Sequence, residues 1–182
     1  KRAIGPARIY TSVTPSPDGK YMLMEWLEPP FSYQAPWSRF PTTSAVYTAD
    51  GKLVETIVQQ PLADDLPLQG VVTGRRNIQW HPTQDAMLMW AEAQDGGDPR
   101  VKTTNRDNLL ALAAPFNGEA RVLVRMEDRA SGAMGIEGSD DLIAYEYDRD
   151  TREIRQTLID VTGTAAPRQL AIRNAQDAYN DP

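Results

Sequence analysis

Short runs of strand-forming residues recur along the chain, each entered through a polar turn. Ser16-Pro17-Asp18-Gly19 leads into Tyr21-Met22-Leu23-Met24-Glu25-Trp26, and His81-Pro82-Thr83-Gln84-Asp85 leads into Ala86-Met87-Leu88-Met89-Trp90-Ala91-Glu92. The Met-Leu-Met core therefore appears twice. A third copy reads Gly138-Ser139-Asp140-Asp141, then Leu142-Ile143-Ala144-Tyr145-Glu146-Tyr147. These runs are short for helices and are bounded by turn residues, so each is read as the second strand of a repeating unit.

A strand is also predicted ahead of each turn: Arg8 to Thr14, Asn77 to Trp80, and Ala133 to Glu137. A hairpin follows each second strand. In the first, Asp50-Gly51 joins Ala45–Ala49 to Lys52–Ile57, a dipeptide that supplies the positive φ angles of a tight turn. In the second, Asn117-Gly118 joins Leu109–Leu112 to Arg121–Val124. The third runs from Arg155–Val161 to Arg168–Ile172 through a Gly-Thr-Ala-Ala-Pro loop.

Units of four short antiparallel strands at this spacing are the construction of a β-propeller blade, which usually takes about 40–50 residues. The predicted fold is all-β, a partial β-propeller of about three four-stranded antiparallel blades covering residues 7–60, 73–126 and 131–174. Two stretches exceed the blade length and are read as insertions. Glu28 to Thr42 is rich in proline and aromatics, and Gln60 to Arg76 is loop-like with Pro61, Pro67, Gly70 and Gly74. The first is a candidate for function, but the simpler reading packs its aromatic rings against a neighbouring blade.

Composition narrows the partners. With 41% hydrophobic residues in 182, the chain can bury a core, and its 14 prolines and 12 glycines fit frequent turns. A formal charge of −6 argues against a phosphate-tracking surface, so nucleic acid is not an expected partner. No apolar run approaches the roughly 18 residues of a membrane span, and the start Lys1-Arg2-Ala3-Ile4-Gly5-Pro6 is not a signal peptide. The chain reads as a soluble segment, exported only if a signal lies upstream. Both ends look like cuts through a longer polypeptide. There are no cysteines, which excludes disulfides, thiolate metal sites and a cysteine nucleophile.

The chemistry-bearing residues are few. No Gly-x-Ser-x-Gly elbow is present, and the one histidine, His81, sits in a blade turn where a surface or capping role is the simple reading. Asp95-Gly96-Gly97-Asp98 lacks the regular oxygen spacing of a calcium loop and reads as a turn in which aspartate caps backbone amides. Glu25, Glu92 and Glu146 fall in equivalent strands, which points to repetition rather than to a glycosidase carboxylate pair. Asp64-Asp65 and Asp140-Asp141 read as solvated loop charges. Arg39, Arg75 and Arg76 are the notable cations, each able to clamp a carboxylate or to pair with an acidic loop.

The runs Pro6-Ala7-Arg8-Ile9-Tyr10, Pro15 to Tyr21, Ser38-Arg39-Phe40-Pro41, Pro61 to Pro67, Trp90 to Asp98, Ala114 to Glu119 and Tyr145 to Arg149 resemble, in the same order, the propeller of the glutamyl endopeptidases in the prolyl oligopeptidase superfamily. That resemblance implies a serine peptidase whose propeller covers a C-terminal α/β-hydrolase domain and gates peptide substrates. The family's serine, aspartate and histidine belong to the second domain, so no catalytic residue, cofactor or metal is assigned here. An enzyme that cleaves after glutamate must hold an anionic side chain, because an unpaired buried carboxylate is costly. Arg39 is the candidate substrate-binding residue, with Arg75 and Arg76 behind it.

A stand-alone propeller that binds protein or ligand is the competing function, separated from the first by whether a Gly-x-Ser-x-Gly motif follows in the gene. An arc of three blades should also leave an uncovered apolar face at each end, so the chain is expected to self-associate.

Overall fold

The computed structural model describes residues 4–177. Twelve strands form three antiparallel sheets of four. Sheet 1 contains β1 (Ile9–Pro15), β2 (Tyr21–Leu27), β3 (Thr42–Thr48) and β4 (Leu53–Gln60). Sheet 2 contains β5 (Arg76–Trp80), β6 (Met87–Ala93), β7 (Asp107–Ala113) and β8 (Arg121–Met126). Sheet 3 contains β9 (Arg129–Gly135), β10 (Leu142–Tyr147), β11 (Glu153–Ile159) and β12 (Arg168–Asn174). In each sheet the spatial order follows the chain order, the pattern of a partial propeller. Among the described residues the helical content is one 3-10 turn, Trp37–Arg39, and no helix is long and apolar enough to cross a membrane.

The sheets stack through their faces, and the sequence shows which sheet lies in the middle. A strand buried on one face alternates, whereas a strand buried on both reads as a continuous apolar run. Leu88-Met89-Trp90-Ala91 and Leu109-Leu110-Ala111-Leu112 are such runs, and all eight residues are buried. Leu88, Trp90, Leu110 and Leu112 face Leu23, Val46 and Ile57 of sheet 1. Met89, Ala91, Leu109 and Ala111 face Leu142, Ala144 and Ile159 of sheet 3. Polar links reinforce the first contact: Trp80 Nε1 donates to the Thr14 carbonyl (2.9 Å), and the Asp18 amide donates to the Asp85 carbonyl (3.2 Å).

The outer face of sheet 1 departs from expectation. Met24, Trp26 and Ala45 are buried there, packed with Ile4 and Tyr10, while the Arg8 guanidinium lies 4.0 Å from the Trp26 ring centroid. The segment ahead of β1 therefore folds back over a face expected to be bare. On the far face of sheet 3, Met134 and Tyr147 remain exposed beside half-buried Ile143.

Several boundaries also differ. β9 begins at Arg129, pairs with Tyr147, and ends at Gly135, because residues 136–141 form the turn, with Gly138 at φ 78°. In the first hairpin only Gly51 takes a positive φ (90°), so one left-handed residue, not an Asp-Gly pair, closes the loop. In the second, the left-handed residue is Phe116 (φ 67°), and its ring packs against Tyr21 and Trp80. Burial of that ring sets this loop's shape, and Asn117-Gly118 does not form a two-residue turn.

Sheets 2 and 3 are also joined by charge. Asp107, with no exposed surface, accepts from Arg76, from Arg129 Nη1 (2.7 Å) and from the Ala130 amide (2.7 Å). Asp95 accepts from Arg106 Nη1 (2.6 Å), Arg129 Nη2 (2.6 Å) and the Gly97 amide (2.9 Å). Arg129, at the start of β9, thus bridges two buried carboxylates of the neighbouring sheet. Removing one member of such a set leaves the other charges buried and uncompensated, at a cost of about 3–5 kcal/mol. Urea denaturation of Asp107→Ala should show a loss of that size, whereas Asp64→Ala, at an exposed loop position, should stay within about 0.5 kcal/mol of the parent.

Candidate functional site

Antiparallel order sends the β1–β2 and β3–β4 connections to one end of sheet 1 and the β2–β3 and β4–β5 connections to the other. At that second end three long segments, 28–41, 61–75 and 94–106, are stitched together. The Ala63 amide donates to the Arg39 carbonyl (2.9 Å), and the Val71 amide donates to the Gly97 carbonyl (3.0 Å). Gly97 sits at φ 78°, and a Cβ there would lie 2.0 Å from the Val71 carbonyl oxygen. Only glycine allows this approach.

Between sheets 1 and 2 at this end lies a cleft of about 170 Å³. Its sheet 1 wall continues the face of Leu23 and Val46 with Glu25 and Ser44, whose register pairs them directly. Glu25 accepts from Ser44 Oγ (3.1 Å) and Thr11 Oγ1 (2.9 Å). The 3-10 turn supplies Ser38 and Arg39 to the rim, with Phe40 beside them.

The three arginines singled out in the sequence separate here. Arg75 crosses to sheet 1, donating from Nη1 to the Ile57 carbonyl (3.0 Å) with its guanidinium 4.5 Å from the Trp90 ring centroid. Arg76 also borders the cleft, but its side chain pairs with Asp107 on the face toward sheet 3, and its Nε is buried without a partner. Among the described residues no carboxylate pairs with Arg39, which is partly exposed. The cleft therefore holds one guanidinium free of protein partners and a second bonded only to a neutral carbonyl.

The insertion before β3 is more exposed than predicted. Phe31, Tyr33 and Trp37 stand in solvent, and Phe31 reaches Phe40 with ring centroids 5.6 Å apart. Among the described residues no neighbouring sheet covers these three rings.

Comparison with known proteins places these features in context. No family model matches the chain. Over its whole length it is 38% identical to a protein of Oryza sativa subsp. japonica and 36% identical to one of Arabidopsis thaliana, each named "Probable glutamyl endopeptidase, chloroplastic". The whole chain is thus similar to one stretch of two proteins that carry that name. It spans about a fifth of the length of these relatives, 20% of the first and 19% of the second. In the structure the sequence motifs fall on two kinds of position. Ser38, Arg39 and Phe40 of the Ser-Arg-Phe-Pro run lie on the cleft rim, while the run from Trp90 to Asp98 leads from the sheet 2 core through buried Asp95.

The Asp95 turn has the geometry read from its sequence, with Gly96 and Gly97 at positive φ and the Gly97 amide capped. The ion pairs of Asp95 were not foreseen, because Arg129 is distant in sequence. Among the described residues no group of three or more His, Asp or Glu is placed to hold a metal ion.

His81 is a buried cap, not a surface residue. Its Nδ1 accepts from the Thr83 (3.2 Å) and Gln84 (3.1 Å) amides, which fixes the neutral ring with its proton on Nε2. Burial pushes its pKa below the ordinary 6.5, with Asp140 opposing part of the shift. At low pH the unfolded chain takes up a proton that the folded chain resists, so this contribution to stability is complete above about pH 6.5 and falls as pH drops below it. Burial raises Glu146 and Asp128, which act with the opposite sign. Thermal melts from pH 7 to 5 should show a smaller decline for His81→Asn, which keeps a capping acceptor and removes the titration, than for the parent.

Proposed function

We propose that the chain is a non-catalytic propeller portion of a serine peptidase of the glutamyl endopeptidase type, shaping and gating access to an active site outside these residues. The observation that carries this reading is likeness along the whole chain to only a fifth of proteins bearing that name. The chain's one histidine supports it, since His81 has no solvent exposure and its Nδ1 is occupied by two amides. A general base must reach the proton it removes. On this reading the partners are a C-terminal α/β-hydrolase domain of the same polypeptide and peptide substrates.

Within that arrangement Arg39 is the residue that receives the glutamate side chain. Its guanidinium is on the cleft rim without a carboxylate of its own, and Arg75 places a second positive charge behind it. A charge-assisted hydrogen bond contributes about 1.5–3 kcal/mol.

The purified chain should hydrolyse no glutamyl substrate. In the full-length enzyme, Arg39→Ala should lower kcat/KM for cleavage after glutamate by about ten- to a hundredfold while changing cleavage after glutamine little. Equal loss for both substrates would remove Arg39 from this role. Sedimentation at low micromolar concentration should show self-association of the isolated chain through the exposed face of sheet 3, and a monomer would show that face to be stable in water.

A further inference from the structure

The turn between β5 and β6, residues 81–86, touches both neighbouring sheets. Toward sheet 1, the Asp85 carbonyl accepts from the Asp18 amide (3.2 Å). Toward sheet 3, Pro82 packs so closely on Gly135 that a Cβ there would lie 2.2 Å from the proline Cγ. One turn therefore ties three sheets together at the tight-turn end of the stack. Its shape is set by His81, which has no exposed surface and whose Nδ1 accepts from the Thr83 and Gln84 amides. The corresponding turns of sheets 1 and 3 are capped by hydroxyls instead. Ser16 Oγ accepts from the Tyr21 amide (3.0 Å), and Ser139 Oγ accepts from the Asp141 amide (3.0 Å). A hydroxyl keeps its acceptor at any physiological pH, whereas an imidazole loses its acceptor when it takes up a proton.

We propose that residues 81–86 are a proton-operated latch, closed around neutral His81 and opened by its protonation, which loosens all three sheets at that end. A protonated imidazole carries a donor on both nitrogens, so Nδ1–H would face the Thr83 and Gln84 N–H groups with no acceptor among them. Both capping bonds are lost, and the buried charge adds its own desolvation cost. The ring has to leave its site, and the turn opens with it. Charged groups on the surrounding turns do not offset this. Asp140, on the β9–β10 turn with Glu137 and Asp141, favours the charged ring, yet burial outweighs it and holds the pKa below 6.5. On the β1–β2 turn Asp18 and Lys20 pair with each other (3.2 Å), and Lys20 also neighbours Asp85 of the latch itself. Opening gives up the contacts to Asp18 and Gly135, so both seams respond together. The latch acts through sheet contacts and does not depend on which substrate the longer polypeptide takes.

Hydrogen exchange of the full-length protein, read by mass spectrometry from pH 7 to 5 and corrected for the intrinsic rate, tests the latch. One proton taken up on opening raises the open population about tenfold for each pH unit below about 6.5, until the closed ring itself titrates. Protection should fall by that factor in segments 81–86, 16–20 and 136–141 together. It should stay level in the loop 160–165, where the Thr162 and Thr164 hydroxyls hold the capping Asp160 well below the usual carboxylate range. His81→Asn keeps a capping acceptor without the titration and should make all three segments independent of pH. His81→Ser, which supplies the hydroxyl cap of the flanking turns, should do the same. Loss of protection in 81–86 alone would overturn the latch, because the seams would not be following the turn. Equal loss in the parent and in either variant would assign the effect to the buried carboxylates Glu146 and Asp128 and remove His81 from the role. Unchanged protection in the parent down to pH 5 would overturn the proposal without recourse to any variant.

Discussion

The stack depends on two carboxylates that have no contact with water. Asp95 and Asp107 belong to sheet 2 and its long loop, yet their shared partner Arg129 opens sheet 3. Apolar faces alone allow sheets to slide and rotate over one another, since hydrophobic burial is non-directional. Bidentate contact from one guanidinium to two fixed carboxylates is directional, and it sets where β9 must begin. Arg76 and Arg106 join the set, so three guanidiniums and two carboxylates are accommodated with little exposure.

The same network positions the cleft from a distance. Asp95 caps Gly97, Gly97 receives Val71, and the loop carrying Val71 also binds the Arg39 carbonyl through Ala63. Rim, loop and network form one connected series of hydrogen bonds. An exposed side chain on a long loop would otherwise sample many orientations, and anchoring its backbone reduces the ordering cost of any ligand it meets.

Much of the fold could be read from the chain because strand alternation and turn residues are local signals. Met22-Leu23-Met24 and Leu142-Ile143-Ala144 were assigned as second strands from neighbours alone, and the structure pairs them as such. What escaped was non-local. Phe116 replaces Asn117-Gly118 as the key loop residue because Tyr21 and Trp80, from other parts of the chain, offer it a place to pack. Arg129 carries no local signal of its role. The one available hint was Asp107, a carboxylate just ahead of the apolar run Leu109 to Ala113, where a charge must find a partner. Arg39 was visible as a candidate, but the separation of Arg75 from Arg76 depended on the opposite directions taken by adjacent residues of the chain.

The unequal lengths of the connections have a further meaning. Tight turns such as 16–20 and 49–52 lie at one end of the stack, and the three long segments lie at the other. Strand packing fixes the spacing between sheets but places little restriction on how far a chain wanders before re-entering. Sequence change at the long-segment end can therefore remodel what the surface recognises while the stacked sheets keep their register. The architecture separates a packed chassis from an adaptable front, with Gly97 as the contact point through which an alteration in one long segment would be felt in the next.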